Sequence, residues 1–466
     1  MTVLIETKQL SVSTKAGTVL VEPISLNINE GRHLTILGET GSGKSLLAQA
    51  IMGALPDELV TAGEIKIERK ALNGQALQQT WGRRLSMLPQ EPTRSLDPTM
   101  KLLTQLWESF ALVGGIESKK AMIKSEEKLT ALGLQRFMQY YPHQLSGGMA
   151  QRASFAVATS GGAYMLIADE PTKGLDEKNK QIVINLLQQI SAQGGAVLTI
   201  THDIDVAARL GGDIMVMRKG KLLEQGQANR VLSQPHSDYA KALMAAAPYH
   251  WSARSKAALS HSVLLTAKDL QVNRGSRRLF SNVNFTLRQG EILGLVGDSG
   301  IGKSSLGDVL CGLLEPKCGA VSWSFKPKRH QVLKLYQDPP AAFAPKVKLQ
   351  TLLDDVIDKH HLDRGKIPYL LTQLKLEPDL LQRTAENVSG GELQRVAILR
   401  ALLFEPVLLF ADEVTSRLDP ITQKETLDLL VEQCESHQCA LVLVSHDHHL
   451  IRHYCHQVID LSEYSY

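Results

Sequence analysis

Two copies of a glycine-rich, lysine-containing pattern are the residues of this sequence with the clearest chemistry. The first copy reads GETGSGKS (Gly38–Ser45), and the second reads GDSGIGKS (Gly297–Ser304). The glycines let backbone N–H groups approach phosphate oxygens without a side chain in the way. Lys44 and Lys303 can reach β- and γ-phosphates, and the serine after each lysine offers a hydroxyl to Mg²⁺. We predict two nucleotide sites. The residues assigned to them in these loops are Gly38, Glu39, Thr40, Gly41, Ser42, Gly43, Lys44 and Ser45, and Gly297, Asp298, Ser299, Gly300, Ile301, Gly302, Lys303 and Ser304.

Two acidic pairs each follow an apolar run further along the chain. They are Asp169 with Glu170 in LIADEPT, and Asp412 with Glu413 in LFADEVT. An aspartate at such a strand end suits the metal shell of Mg²⁺. The glutamate after it is placed to activate an attacking water. The alternative is a helix N-cap or a surface ion pair.

Glutamine and histidine complete the predicted reactive set. Gln90 and Gln337 can coordinate Mg²⁺ and orient water, so the predicted metal ligands are Ser45, Gln90, Asp169, Ser304, Gln337 and Asp412. His202 and His446 each end a β-rich run and are assigned to the γ-phosphate. A lone histidine or a glutamine near proline is more often structural, and recurrence in both copies favours function here.

A second glycine motif precedes a helix in each half. It reads SGGM at Ser146, Gly147, Gly148 and Met149, and SGGE at Ser389, Gly390, Gly391 and Glu392. A serine and backbone N–H groups at a helix N-terminus can bind an anion. A domain that already has a phosphate loop does not need a second one. The motif would be useful if it met a nucleotide held by another domain.

The order of these landmarks reveals an internal duplication. Phosphate loop, glutamine, glycine motif, acidic pair and histidine follow one another twice, with the second copy shorter between lysine and glutamine. We therefore predict a first domain over 1–246, a linker over 247–262 and a second domain over 263–466. Apolar runs such as RHLTILG and EILGLVG predict buried parallel strands. The carboxyl ends of such strands meet at one crevice, which would gather the polar residues.

The composition limits the class of protein. With 466 residues, 43% hydrophobic and 21% charged, each half is able to bury a full core. Lys+Arg of 51 against Asp+Glu of 48 gives a net charge of +3, too near neutral to indicate an obligate nucleic-acid partner. The five cysteines form no C-x-x-C, which argues against a zinc site or a disulfide framework. No apolar run is long enough to span a bilayer.

Taken together, these motifs resemble a pair of ATP-binding cassette (ABC) ATPase domains, and the resemblance covers nearly the whole chain. It implies two α/β P-loop NTPase domains in tandem, each with a mainly parallel sheet and a helical subdomain. It implies Mg²⁺-dependent ATP hydrolysis with Glu170 and Glu413 as catalytic residues. In that family two cassettes pair head to tail, so the loop at Ser389–Gly391 would close the first site and Ser146–Gly148 the second.

Within the family, YPHQLSGGMAQR (Tyr141–Arg152) and PHSDYAKALM (Pro235–Met244) resemble the dipeptide/oligopeptide/nickel importers. The expected partners are then two integral-membrane permease subunits and a solute-binding protein, without nucleic acid. The chain would lie peripherally on the cytoplasmic face of the inner membrane. The cargo stays open between peptides, nickel and metal chelates.

Some features depart from the family or leave alternatives open. The aromatic residue expected to stack on adenine is replaced by Ser13 and Thr14 in the first copy, and Arg274 is an alternative stacking group in the second. The histidine-rich end, HDHHLIRHYCHQ, permits either a metal site or solvent-facing histidines. A ribosome-associated duplicated ATPase would require a long charged linker, and a DNA-repair ATPase would require coiled-coil or zinc-bearing insertions. Neither feature is present in the sequence.

Overall fold

A computed structural model describes residues 2–251, 254, 260–337, 342–416 and 418–465, with the side chain of Arg94 also left undescribed. The chain divides into two compact units, Met1–Met244 and Ala245–Tyr466. Part of the predicted linker, at 252–253 and 255–259, lies outside the described residues. Each unit is an α/β domain with a mainly parallel sheet, as the sequence predicted.

The first unit has two sheets. Its strands are β1 (Val3–Thr14), β2 (Val19–Asn29), β3 (His33–Gly38), β4 (Leu59–Ile67), β5 (Lys70–Ala71), β6 (Leu85–Leu88), β7 (Met165–Asp169), β8 (Ala196–Thr201), β9 (Asp213–Arg218) and β10 (Lys221–Gln227). The antiparallel sheet has the order β2-β1-β4-β5, and the main sheet has the order β10-β9-β3-β8-β7-β6. Only the β9–β10 pairing of the main sheet is antiparallel. Strands β3, β7 and β8 are buried at every residue, as expected for parallel strands covered on both faces.

Helices cover this sheet and form a separate helical region. They are α1 (Lys44–Met52), α2 (Gly74–Gln78), α3 (Pro92–Ser95), α4 (Leu102–Glu108), α5 (Ser118–Ala131), α6 (Gly147–Ser160), α7 (Glu177–Ala192), α8 (Ile204–Leu210), α9 (Ala228–Ser233) and α10 (Asp238–Ala245). Leu47 and Ile51 of α1 are buried in the core between the two sheets. Leu102 and Leu106 of α4 belong to a second core shared with α5 and α6. This second core is the predicted helical subdomain.

The second unit repeats the plan with fewer strands. They are β11 (Val263–Arg274), β12 (Arg277–Arg288), β13 (Ile292–Val296), β14 (Cys318–Trp323), β15 (Val332–Leu335), β16 (Leu408–Asp412), β17 (Ala440–Val444) and β18 (Gln457–Asp460). The main sheet has the order β15-β16-β17-β13-β18 and is parallel throughout. Its helices are α11 (Lys303–Leu310), α12 (Leu349–His360), α13 (Ile367–Gln373), α14 (Gly390–Leu402), α15 (Pro420–Ser436) and α16 (His448–Tyr454).

The two main sheets bring corresponding strands to corresponding places. In each unit, the strand that leads into the phosphate loop (β3 or β13) is paired with the strand that precedes the histidine (β8 or β17). That strand is paired in turn with the one ending in the acidic pair (β7 or β16). Three loops with polar residues therefore leave neighbouring strands at the same edge of each sheet.

A buried histidine makes the first unit sensitive to acid. His33, at the start of β3, is 7% exposed, and its Nε2 lies 2.5 Å from the Ser191 hydroxyl. Burial lowers the pKa of His33 to about 4. Below pH 6.5 the unfolded chain binds a proton that the folded chain excludes, so stability is lost as pH falls from about 6.5 towards 4. Between pH 7 and pH 5 we expect the loss to be about 2 kcal/mol.

Urea unfolding at these two pH values tests this expectation. The four tryptophans divide evenly, so replacing Trp251 and Trp323 by phenylalanine leaves emission from Trp81 and Trp107 of the first unit alone. In this background, His33→Leu should show a smaller loss of stability between pH 7 and pH 5 than the parent. An equal loss in both proteins would show that the fold does not lower the pKa of His33.

Candidate functional site

The first phosphate loop runs from the end of β3 to the start of α1. Gly43 has φ of +91°, a conformation that favours glycine, and its N-cap position places the loop directly before the first turn of α1. A Cβ at Gly38 would lie 2.2 Å from the carbonyl oxygen of Met217 in β9. Both glycines are therefore required by the backbone itself. The order of strand, loop and helix that the sequence predicted is confirmed, since β3 ends at Gly38 and α1 begins at Lys44.

The lysines of both loops are folded over their own loops. The ammonium of Lys44 donates to the carbonyl oxygens of Gly38 at 2.8 Å and Glu39 at 2.6 Å. That of Lys303 donates to the carbonyl oxygens of Gly297 at 2.8 Å and Asp298 at 3.2 Å. Both lysines are buried. Each holds its positive charge inside the concave loop, where a phosphate group would be attracted to it.

Glu170 and His202 meet at the edge of the first sheet. Glu170 directly follows β7 with φ of +47°, an uncommon conformation for this residue type, and its N–H donates to the Ile200 carbonyl at 2.8 Å. Its carboxylate lies 2.8 Å from Nδ1 of His202. Burial raises the pKa of Glu170, but His202, Lys44 and Lys173 together bring it below its usual value. Glu170 is therefore a carboxylate near neutral pH, as a group that accepts a proton from water must be.

The surroundings of Asp169 show whether the first unit can hold the predicted Mg²⁺. It is buried, and burial raises the pKa of its carboxyl above the usual value, opposed by a hydrogen bond from Ser45. Within the described part of the chain, its Oδ1 is buried without a hydrogen-bond partner. A buried carboxylate oxygen without a partner beside a serine hydroxyl is a donor set that suits Mg²⁺. The residues fit the predicted ion.

A cavity of about 170 Å³ lies over this loop. It is lined by Thr40, Gly41, Ser42, Gly43, Lys44, Ser45, Leu46, Gln90, Glu170 and Lys173. The structure thus brings together the phosphate loop, the glutamine and the glutamate, which were separate predictions from the sequence. Lys173 was missed, because a lysine three residues after a predicted catalytic glutamate has no distinguishing pattern. Comparison of the two copies could have drawn attention to it, because the second copy has Ser416 at the matching position.

Lys173 adds a second ammonium to the first cavity, and its charge lowers the pKa of both Asp169 and Glu170. We expect Lys173→Ser, which installs the residue of the second copy, to weaken ATP binding at the first site about three- to tenfold. Fluorescent ATP titrations in a Lys303→Ala background report this site. Lys178→Ser, which removes a charge at an exposed position, is the control. Unchanged affinity in Lys173→Ser would exclude contact with the nucleotide.

The second unit has the same acidic residue and histidine in a slightly different arrangement. Glu413 has φ of +50°, and its carboxylate lies 2.8 Å from Nε2 of His446. The amide of Gln337 donates to Glu413 at 2.9 Å. Burial raises the pKa of Glu413, but the hydrogen bond and charge of His446, together with Lys303, bring it below its usual value. Gln337, Glu413 and His446 therefore form one cluster.

Asp412 differs from its counterpart Asp169. Its carboxylate lies 3.1 Å from the ammonium of Lys334 in β15. Burial alone would lower the pKa of Lys334, but Asp412 and Asp308 raise it above its usual value, so the ammonium is charged. The aspartate predicted to bind a cation thus already pairs with one from this chain, and the second donor set fits Mg²⁺ less well than the first.

The second glycine motif begins a helix in each unit. Ser146 caps α6 by accepting from the N–H of Met149 at 3.4 Å. Ser389 caps α14, and Glu392 accepts from its backbone N–H at 2.8 Å, forming a capping box. The glycines are the first residues of both helices, where N–H groups have no intrahelical acceptor. The motif can therefore offer donors to an anion, and its pairing with the other cassette stays a prediction.

The structure bears on two questions that the sequence left open, the group that stacks on adenine and the histidine-rich end. Arg274 donates to the Ser305 hydroxyl at 3.1 Å and also pairs with Asp308, so its guanidinium is held against α11. In the histidine-rich end, Nδ1 of His456 accepts from the N–H of Ile292 at 3.0 Å, and the ring of His453 contacts Trp251. In the ranges that the structure describes, no three metal-ligating side chains come together. Among the described helices, none is both long and apolar enough to cross a membrane.

Comparison with known proteins identifies close sequence relatives. A family model described as "ABC transporter" matches residues 21–173 and 280–416. The chain is 32% identical to an uncharacterized ABC transporter ATP-binding protein, YejF, of Escherichia coli (strain K12), over 95% of this chain and 90% of that protein. It is 31% identical to the peptidoglycan transport ATP-binding protein YejF of Agrobacterium fabrum, over 96% and 89%. It is 30% identical to the glutathione import ATP-binding protein GsiA of Salmonella typhi, over 94% and 81%.

Solved structures give the same picture of the fold. A model of ribosome-bound archaeal Pelota and ABCE1 contains a chain that matches with a TM-score of 0.68 and 22% identity, covering 97% of this chain and 76% of that one. At this identity the likeness concerns the fold alone. It agrees with the two tandem α/β units described above.

Proposed function

This chain belongs to the ABC transporter family as an ATPase with two cassettes, and we propose that it powers a membrane importer of the peptide type. The observation that carries this proposal is the paired set of phosphate loop, carboxylate and histidine in each unit, joined to sequence relatives named for peptidoglycan transport and glutathione import. Nickel or a metal chelate, the other cargoes considered from the sequence, has no comparable support among these relatives.

Within each cassette we assign the hydrolytic step to residues at the sheet edge. Lys44 and Lys303 hold phosphate oxygens, and the N–H groups of the loop and of the following helix add to this attraction. Glu170 and Glu413 accept a proton from the attacking water. His202 and His446 are in hydrogen-bond contact with these carboxylates and orient them towards the γ-phosphate. Mg²⁺, when bound, would neutralise charge that develops on the phosphate oxygens.

Binding of ATP is proposed to join the two cassettes. The motif at Ser389, Gly390 and Gly391 would close the first site, and that at Ser146, Gly147 and Gly148 the second. The support is chemical, since the two glycines of each motif are the first residues of a helix, where backbone N–H groups have no intrahelical acceptor. One chain would then contain both halves of the dimer that ATP closes.

The proposed partners follow from the work such a motor performs. Because no described helix can span a bilayer, the transport path would be supplied by two integral-membrane permease subunits. A solute-binding protein would deliver the cargo from outside, and this chain would act peripherally on the cytoplasmic face. Permease helices would dock beside Gln90 and Gln337 and be pushed by the closing motion.

Affinity capture from detergent-solubilised membranes, followed by mass spectrometry, tests this function. We expect two permease subunits and a solute-binding protein to copurify with the tagged chain. The captured binding protein can then be screened by thermal shift against peptides, glutathione and nickel, and a peptide should raise its melting temperature. Ribosomal proteins without a permease would contradict the importer and favour a ribosome-associated ATPase. A binding protein stabilised by nickel alone would contradict the cargo class.

A further inference from the structure

The two nucleotide sites differ in one buried charge network. In the second unit, the ammonium of Lys334 lies 3.1 Å from an oxygen of Asp308 and 3.1 Å from an oxygen of Asp412. It also donates to the carbonyl oxygen of Ser304 at 3.1 Å. The Lys334 side chain is 5% exposed, and those of Asp308 and Asp412 are 19% and 12% exposed. Such a pairing is little screened by solvent and holds the lysine in one place.

The first unit has no charged group at either corresponding position. Met87 in β6 takes the place of Lys334, since both precede the predicted glutamine by three residues. Gln49 of α1 takes the place of Asp308 of α11, since both follow the phosphate-loop lysine by five residues. Met87 packs against the core of the first unit. Asp169 consequently keeps a buried oxygen without a partner, whereas Asp412 has an ammonium beside it.

This difference bears directly on Mg²⁺. Lys334 pairs with the carboxylate of Asp412, a predicted ligand of the second site, and donates to the backbone carbonyl of Ser304, whose hydroxyl is the other predicted ligand. A fixed ammonium repels a divalent cation and competes with it for the Asp412 carboxylate. The same ammonium adds a permanent positive charge beside the Asp412 carboxylate and the phosphate loop of the second site. In the first site the additional ammonium, that of Lys173, lines the cavity, and Oδ1 of Asp169 has no hydrogen-bond partner among the described residues. Mg²⁺ also loses its water reluctantly and requires near-octahedral coordination. The Asp412 carboxylate, already paired with Lys334, is a poor ligand for such an ion.

We infer that Lys334 makes nucleotide binding at the second cassette less dependent on Mg²⁺, so that the two sites of the chain have different metal requirements. The inference rests on nucleotide binding at both phosphate loops and is independent of the importer, its cargo and its partners. The first cassette is the Mg²⁺-dependent site. The second cassette binds nucleotide with less dependence on Mg²⁺, because the ammonium of Lys334 stays paired with Asp308 and Asp412.

Nucleotide affinity measured one site at a time tests the inference without reliance on turnover. Binding of a fluorescent ATP analogue is titrated in EDTA and in excess Mg²⁺, in a Lys303→Ala background for the first site and a Lys44→Ala background for the second. The quantity compared is the ratio of the dissociation constant in EDTA to that in Mg²⁺. We expect this ratio to be about tenfold smaller at the second site than at the first.

Transplanting the residues of the first cassette supplies the decisive variant. Lys334→Met with Asp308→Gln removes one charge of each sign, so the core is not left with an unbalanced lysine or aspartate. In the Lys44→Ala background, this double variant should raise the second-site ratio about tenfold, to the value of the first site. Lys359→Met, at an exposed position on α12, is the control and should leave the ratio unchanged.

The reciprocal change guards against a variant that misfolds. Met87→Lys with Gln49→Asp builds the network in the first cassette, and it should lower the first-site ratio towards that of the second. Equal ratios at the two wild-type sites would overturn the inference. So would a second-site ratio that Lys334→Met/Asp308→Gln leaves unchanged while far-ultraviolet circular dichroism shows a folded chain.

Discussion

Replacing Glu170 and Glu413 together by glutamine is expected to lower steady-state ATP hydrolysis by about 10²- to 10⁴-fold while ATP stays bound. Glu170 is buried and Glu413 is partly buried; each follows a strand, contacts a histidine and is held ionised by neighbouring positive charge. An amide of the same shape keeps the packing and cannot take the proton. Phosphate release measures turnover, and gel filtration with labelled ATP measures the trapped nucleotide.

The single variants separate the contributions of the two sites, and an exposed control tests for a nonspecific effect of the substitution. Glu126→Gln changes an exposed residue of α5 and should leave hydrolysis unchanged. Glu170→Gln alone should remove more turnover than Glu413→Gln alone if the first cassette is the Mg²⁺-dependent site. Near-wild-type hydrolysis in the double variant would reject the assignment of the glutamates as the groups that accept the proton.

Lys44→Ala carries the second-largest expected effect. The ammonium of Lys44 is buried within the phosphate loop, and its contact with a phosphate would be a charge-assisted hydrogen bond worth about 1.5–3 kcal/mol. We expect ATP affinity at the first site to fall by about 10- to 150-fold. Fluorescent ATP titration in the Lys303→Ala background measures it, so that the second site does not contribute.

An exposed lysine controls for the loss of one positive charge. Lys124→Ala on α5 should leave the affinity within experimental error of the parent. The far-ultraviolet spectrum of Lys44→Ala should also match the parent, although the ammonium holds two loop carbonyls. A folded Lys44→Ala chain with unchanged affinity would show that the nucleotide does not occupy this loop.

Much of the fold follows from local sequence features. The apolar run before each phosphate loop becomes β3 or β13. In the first loop, Gly38 is required by close packing where the strand ends, and Gly43 by its positive φ where α1 begins. The aspartates of the acidic pairs end β7 and β16, whose apolar runs are typical of parallel strands covered on both faces. Their meeting with His202 and His446 follows from strand order, since β7 is paired with β8 and β16 with β17.

The features that the sequence did not reveal depend on contacts between distant residues. Lys334 and Asp308 are separated along the chain and carry no motif, and their pairing appears only when β15 lies beside α11 and β16. Lys173 is adjacent to a motif, but its entry into the first cavity depends on the turn after Glu170. The left-handed backbone of Glu170 and Glu413 was also not foreseen, since glutamate rarely adopts it.

The number of ATP molecules trapped per chain tests whether each of the two sites is closed by the opposite cassette. In Glu170→Gln/Glu413→Gln, we expect two ATP molecules per chain in Mg²⁺. Adding Gly390→Asp places a carboxylate in the second glycine motif and should release one ATP, the one bound at the Lys44 loop, as photo-cross-linking of labelled ATP would locate. Release from the Lys303 loop instead, or retention of both, would contradict the pairing.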